Sequence, residues 1–258
     1  MNPEINEDII RHLVLNTYRM YRTKFKNKYG ELVICHDGGN YWRRDLYPYY
    51  KANRKTNRDK SDLNWDRIHE IMNNLYDEVG LNLPYKNIKI KKVEADDIIA
   101  VLCEKYHTEE NIVIVSSDKD FQQLQRYPNI KQYSPLKKSY IVCEKPENYI
   151  IEHILKGDAS DGVPNILSDD DTFVNHDKRQ KPCGDKRVLS MKENLSEFTS
   201  SENWKRNQQM IDFNYIPDDI REKIIVEFDK EPRGKRNNIL NYFISNKLKN
   251  LMQHIEEF

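Results

Sequence analysis

Apolar positions recur at helical spacing through the first thirty residues: Ile5, Ile9, Leu13, then Tyr18 and Tyr21, with Gly30 closing the run. The pattern predicts a helix, with Asn2 placed to cap it and Pro3 suited to its first position. Glu31 to Asp37 then changes period. It is a short apolar run ending in a carboxylate before Gly38-Gly39, and reads as a buried strand. Residues 40–60 keep no clean period. From Ser61, the positions Trp65, Ile68, Ile71, Met72, Leu75 and Val79 form one side of a second helix, ended by Gly80. Glu94 to His107 forms a third, with Ala95, Ile98, Ile99, Leu102 and Tyr106 inward. Asn111 to Asp118 reads as a second buried strand and Ile130 to Ser134 as a third. Beyond Asn148 no strand pattern remains. Helices are expected at 148–156, 202–213, 217–229 and 236–257, and 165–187 reads as a long polar loop or insertion.

Strands alternating with helices imply an α/β fold with a mostly parallel sheet flanked by helices. The pattern change places a boundary near residue 155, giving an α/β domain over 1–155 and a helical domain over 156–258. Composition narrows the class. Charged residues make up 33% and hydrophobic ones 38%, polar but globular rather than disordered. No apolar run approaches the ~20 residues that span a bilayer, and Met1-Asn2-Pro3-Glu4 shows no secretory pattern. Cys35, Cys103, Cys143 and Cys183 are far apart and form no C-x-x-C pair, which reads as reduced packing thiols in a cytoplasm.

The 42 basic and 42 acidic residues cancel overall but are segregated. Arg43 to Lys60 holds seven basic residues, among them Lys51, Arg54 and Lys55, against two acidic ones. Lys91 to Asp120 holds eight acidic against four basic. Such segregation suits a polyanion held beside a metal site, although two solvated faces would give the same count. Two strands end in acids, Asp37 and Asp118 with Asp120, where open α/β sheets bind ligands. If the strand continues, Asp118 and Asp120 point the same way. Glu94 and Asp97 share a helical face, Asp96 lies beside them, and Asp158 and Asp161 form a further pair. Any one of these acids alone reads as a cap or turn residue. Together they would repel unless hard divalent cations, Mg²⁺ or Mn²⁺, neutralised them. Two such ions about 4 Å apart would clamp a phosphodiester.

Three segments resemble the successive acidic motifs of the 5′-nuclease superfamily, which includes the flap endonucleases. They are Val93-Glu94-Ala95-Asp96-Asp97-Ile98-Ile99-Ala100, Ser116-Ser117-Asp118-Lys119-Asp120-Phe121 and Lys156-Gly157-Asp158-Ala159-Ser160-Asp161-Gly162-Val163-Pro164. Tyr41-Trp42-Arg43-Arg44-Asp45, Tyr49-Tyr50-Lys51-Ala52-Asn53-Arg54, Tyr127-Pro128-Asn129, Ile216-Pro217-Asp218 and Ile255-Glu256-Glu257-Phe258 narrow the resemblance to a bacteriophage ribonuclease H branch of that superfamily. The resemblance implies a two-metal 5′-to-3′ nuclease in the host cytoplasm, with Mg²⁺ replaceable by Mn²⁺, removing RNA primers and adjacent DNA. Its substrates would be RNA–DNA hybrids and 5′-flap or forked DNA. It would act as a monomer, away from membranes, alongside a phage single-stranded DNA-binding protein or sliding clamp.

On this resemblance Asp37, Glu94, Asp96, Asp118 and Asp120 surround the metals, and Asp97, Asp158 and Asp161 are outer acids. Lys51 and Arg54 match basic residues carried to the scissile phosphate by an arch near 40–60. Tyr41, Trp42, Arg43, Arg44, Tyr50 and Lys55 would hold the strand, by phosphate contact and base stacking. Gly162 and Val163 would open a helix–turn–helix unit on the duplex backbone. Its second turn departs from the superfamily pattern, the nearest match being Gly184-Asp185-Lys186-Arg187. A larger departure lies at the front. The superfamily opens with a strand whose aspartate bridges the metals, and no apolar run ending in Asp precedes Asn6. The expectation is that an upstream segment or separate fragment supplies it. The alternative is a non-catalytic binder of branched or primed DNA.

Overall fold

The computed structural model describes residues 5–258 apart from 55–57, 59, 60 and 62. Asn2, Pro3 and Lys55 therefore lie outside the described residues. The backbone divides into two interleaved units. Unit 1 comprises residues up to His36, Ser61–Lys89 and Ile225–Phe258, and unit 2 comprises Asp37–Lys60 and Ile90–Ile224.

Unit 1 opens with α1 (Glu7–Tyr29), capped by Asn6, whose side chain accepts the Ile9 amide at 3.1 Å. Its buried face is not the predicted one: Ile9 and Leu13 are each 57% exposed, while Arg11, Leu15, Arg22 and Phe25 are buried. The arginine stems go inward because their heads are paired. Arg11 meets Glu78 at 2.9 Å and Asp8 at 2.7 Å, and Arg22 meets Glu31 at 2.6 Å. The helix α3 (Trp65–Asn82) starts at the Asn64 cap and runs two residues past Gly80, which sits inside it against Arg233 and Asn87. β1 (Val33–His36) pairs in parallel with β2 (Lys86–Lys89). The sequence pattern hid β2, since only Ile88 of Lys-Asn-Ile-Lys is buried. Asn87 supplies the polar fit, bonding His36 at 2.9 Å and the Tyr76 carbonyl at 2.7 Å. Leu15, Ile34, Val79, Leu83, Tyr85, Phe243 and Phe258 form the core. The helix expected over 236–257 is broken into α9 (Asn238–Ser245), α10 (Lys249–Met252) and a final 3-10 turn, with Lys247 in the left-handed region at φ 55°.

Unit 2 holds a short α2 (Arg43–Leu46), then α4 (Ala95–Tyr106) and a second sheet. In it β3 (Ile112–Val115) pairs in parallel with β4 (Ile130–Ser134), and β4 pairs antiparallel with β5 (Ser139–Ile141). The expected parallel pairing is thus present, but in two small sheets rather than one. β1 and β3 each have a single strand partner among the described residues. β3 is Ile-Val-Ile-Val, yet only Ile114 is fully buried, whereas a parallel strand covered on both sides is buried throughout. Helices follow: α5 (Pro146–Lys156), α6 (Asp185–Glu193), α7 (Glu202–Ile211) and α8 (Asp218–Asp229), the last passing across the unit boundary. Of the loop expected over 165–187, the last three residues instead open α6, and residues 157–184 between α5 and α6 are irregular. They are pinned by α7. Asn207, fully buried, donates to the Ile154 carbonyl at 2.7 Å and the Pro164 carbonyl at 2.9 Å, and Arg206 reaches the Pro164 carbonyl at 2.9 Å.

Candidate active site

All eight acids singled out in the sequence belong to unit 2, and local chain chemistry sets each one. Glu94 caps α4 and closes a reciprocal box with Asp97. Gly38 lets the Asp37 turn press against the chain near Ile90, because a Cβ there would lie 1.7 Å from the Ile90 carbonyl oxygen. Asp37 then accepts the Ala95 amide at 2.9 Å. The strand expected to reach Asp118 stops at Val115, and Lys119–Arg126 is a 3-10 helix capped by Asp118. Asp118 and Asp120 therefore do not alternate on a pleat. Asp118 accepts the Asp120 amide at 2.9 Å, and buried Gln132 fixes the junction through the Asp118 carbonyl at 2.6 Å.

Gly157 ends α5 at φ 68°, and a Cβ on it would come within 2.4 Å of the Val163 carbonyl. This sharp exit brings Asp158 back onto the helix. Asp158 accepts the Ser160 amide at 2.8 Å and faces His153 at 3.3 Å and Lys119 at 3.1 Å.

The acids fall into two electrostatic groups. Glu94 and Asp97 are buried and compensated. Glu94 accepts from Arg43 at 2.7 Å, from the Tyr50 hydroxyl at 3.0 Å and from Lys51. Asp97 accepts from the Trp42 indole at 2.9 Å and pairs with Arg43 at 2.8 Å. Asp161 takes Arg54 at 2.5 Å and Lys51 at 3.5 Å. The second group is short of positive charge. Burial, together with Asp118, Glu94 and Asp37, pushes the Asp96 carboxyl up to about 8. Burial pushes Asp120 up to about 7; His153 opposes the shift, while Asp118, Asp158 and Asp161 add to it. One Asp120 oxygen is buried without a hydrogen bond. Asp158 is the opposite case: burial alone would raise it, but bonds from His153, Ser160 and Lys119 hold it well below the usual carboxylate range. Crowded carboxylates with unmet charge and an all-oxygen character are a donor set that fits a hard divalent cation.

The basic stretch is strapped to this cluster. The Lys51 amide donates to the Asp161 carbonyl at 2.7 Å and the Asn53 side chain to the Ala159 carbonyl at 2.8 Å. Lys51 has φ 57°, a left-handed backbone costing about 1 kcal/mol or more for a side chain of this kind. That turn buries its ammonium 5.0 Å from the Tyr41 and Tyr50 rings. Arg43 departs from its expected place at a phosphate backbone. It is 2% exposed and spends its guanidinium on Glu94, Asp97 and the Met210 carbonyl. Trp42 and Tyr50 are buried likewise. Arg44, Arg54, Lys186 and Arg187 are exposed. Gly162 and Val163 are buried, Val163 in a cluster with Tyr47, Tyr50, Met210 and Ile211. Sequence reasoning missed His153, whose only signal is its place in the last turn of α5, five residues before Asp158.

Two family descriptions match the chain. Residues 7–152 match the family described as 5′-3′ exonuclease, N-terminal resolvase-like domain, and residues 144–258 match T4 RNase H, C terminal. Ribonuclease H of Enterobacteria phage T4 is 36% identical over 269 residues, covering 99% of this chain and 88% of that protein. Flap endonuclease Xni of Shewanella piezotolerans is 31% identical over 136 residues, 48% of this chain and 49% of that one. Among solved structures, the D15 protein of T5 co-crystallised with metal ions superposes with a TM-score of 0.60 at 17% identity, covering 83% of this chain and 92% of its own. A T5 D15 flap endonuclease complex with DNA and metal ions gives 0.59, again over 83% of this chain and 91% of that one. These last two share the fold. With one of its family models spanning more than half its length and a phage ribonuclease H aligned along nearly all of it, the chain belongs to the 5′-3′ exonuclease family of metal-dependent nucleases.

Proposed function

We propose that the chain hydrolyses phosphodiesters from 5′ ends and at 5′ flaps, on RNA–DNA hybrids and forked DNA, during phage lagging-strand replication in the host cytoplasm. The observation that carries this reading is the uncompensated set Asp37, Asp96, Asp118 and Asp120 beside the basic segment Arg44–Arg54. Two divalent cations, Mg²⁺ or Mn²⁺, supply when bound a water of lowered pKa and positive charge for the phosphate oxygens. Asp96, Asp118 and Asp120 hold them with Asp37, while Asp158 and Asp161 shape the outer rim. Glu94 and Asp97 act through the chain: by engaging Arg43, Lys51 and Trp42 they fix α4 and the basic segment around the site. Arg54 is exposed and Lys51 lies just beneath it, so both are placed to exchange Asp161 for a scissile phosphate. Arg44 and Tyr49 face the strand, and Lys186 and Arg187 the duplex. Phage single-stranded DNA-binding protein and sliding clamp are the replication partners this role calls for.

The single-sided pairing of β3 favours a second reading: binding without cutting until a further strand, carrying its own aspartate, completes the sheet. Cleavage of a labelled 5′ flap and an RNA–DNA hybrid in Mg²⁺, by the chain with and without such a segment, tests the two. Cutting by the chain alone supports the nuclease reading, and cutting only when the segment is present supports the second.

A further inference from the structure

The face of α1 that apolar spacing singles out stays in solvent. Ile9 and Leu13 lie one turn apart and are each 57% exposed. They are not isolated. With Leu248 they form the apolar lining of a groove between the start of α1 and the turn from α9 to α10, and His12, Lys247 and Lys249 form its basic lining. All six residues belong to unit 1. The groove holds about 480 Å³, a size at which clefts take up ligands.

Charge in the groove is one-sided. Its acid, Asp8, is taken by Arg11 at 2.7 Å. The side chains of His12, Lys247 and Lys249 have no hydrogen bond or ion pair among the described residues. Lys247 also stands against local preference. α9 closes in a Schellman turn, in which the Leu248 amide donates to the Phe243 carbonyl at 2.9 Å and the Lys247 amide to the Ile244 carbonyl at 3.1 Å. The turn holds Lys247 at φ 55°, where glycine is the unstrained choice. A lysine there costs backbone strain and places an exposed ammonium beside the groove.

We propose that this groove docks an acidic peptide segment of a partner protein. Apolar side chains of the peptide seat against Ile9, Leu13 and Leu248, and its carboxylates meet Lys247, Lys249 and His12. A phosphate backbone would satisfy the cations and leave Ile9 and Leu13 in water, so a peptide fits better than a nucleic acid. The site is independent of the acid cluster, and its failure leaves the nuclease reading standing.

The probe is a fluorescein-labelled peptide of glutamates with two leucines four positions apart, added to the whole chain and followed by anisotropy. Binding is expected, weakened by roughly tenfold or more in the double variant Lys247→Glu with Lys249→Glu, and likewise in Leu13→Gln. All three positions are exposed, so the core is untouched. A peptide with lysines in place of the glutamates should prefer the charge-reversed variant to the unchanged chain, a gain that misfolding cannot produce. No binding of the acidic peptide, or equal binding after serine replaces its leucines, would overturn the proposal. A single-stranded oligonucleotide that displaces the peptide and itself loses affinity in the double variant would make the groove a nucleic-acid site instead. Sedimentation as a dimer that Leu13→Gln dissociates would assign the groove to a second copy of the chain, and would overturn the proposal as well.

Discussion

Glu94 and Asp96 stand two residues apart and have opposite electrostatic fates. Glu94 is enclosed by Arg43, Lys51 and Tyr50, whereas Asp96 faces mainly other acids. The consequence for stability follows from the direction of the shift. The folded carboxyl of Asp96, at about 8, lies above its unfolded value near 4, so stability present in acid drains away as pH rises between the two. Asp120 adds to the same loss up to about 7. In a chelator, Asp96→Asn should therefore be more stable than the unchanged chain at pH 8, by about 2 kcal/mol, with the gap closing near pH 4. Thermal unfolding across that range checks it, and Mg²⁺ or Mn²⁺ should erase the gap by binding the ionised acids. Arg43 makes the complementary case. Arg43→Ala leaves Glu94 and Asp97 buried without their shared cation and should cost roughly 3 kcal/mol in urea unfolding, whereas exposed Arg44→Ala should cost under about 0.5 kcal/mol. The acids were legible in the sequence because their spacing follows chain turns. The burial of Arg43 was not, since an arginine in a basic run looks the same whether its partners are phosphates or carboxylates 51 and 54 residues away.

Elements whose character is carried by apolar spacing were readable: β3, β4 and α4 lie where Ile, Val and Leu recur. Elements carried by polar fit were not. β2 depends on Asn87 bonding across to His36 and Tyr76, and α1 turns inward on Arg11 and Arg22 because Glu78 and Glu31 wait for them. The 3-10 helix after Asp118 was hidden because an Asp-Lys-Asp run can continue a strand or cap a turn. The buried Gln132 side chain, bonded to the Ser116 and Asp118 carbonyls, decides for the turn. At this scale Gly157 is the most exacting position. Any side chain there meets both a positive φ and the Val163 and Pro164 carbonyls. Gly157→Ala should destabilise by about 2 kcal/mol or more and displace Asp158. Gly39→Ala has a positive φ but open space around it, and should cost about 1 kcal/mol. Chemical denaturation of the two variants side by side separates the steric part from the backbone part.

The whole molecule is a nuclease scaffold in which each sheet ends on a strand with one partner among the described residues. In β3 three of the four apolar residues remain half-buried. On the second reading, an added strand bearing an aspartate should raise cutting strongly, and amide hydrogen exchange at Val113 and Val115 should slow when it pairs. Binding of branched DNA should be insensitive to sequence and fall by about 0.9 log units per log unit of salt for each duplex phosphate neutralised. Arg44→Ala with Arg54→Ala should flatten that slope, and Lys186→Ala with Arg187→Ala should flatten it further. That the helices gather from α5 onward was legible as the end of strand patterning. The interleaving of the two units was not, because nothing local in 225–258 announces the Ile34, Leu83 and Tyr85 core that it joins. The measurement that bears most directly on the account is release of label from a 5′-flap substrate in Mg²⁺ by the chain, beside its Asp118→Asn variant and beside a chelated control. The account predicts cutting that stops in the chelator and in Asp118→Asn while flap binding persists. Cutting that survives both would contradict it.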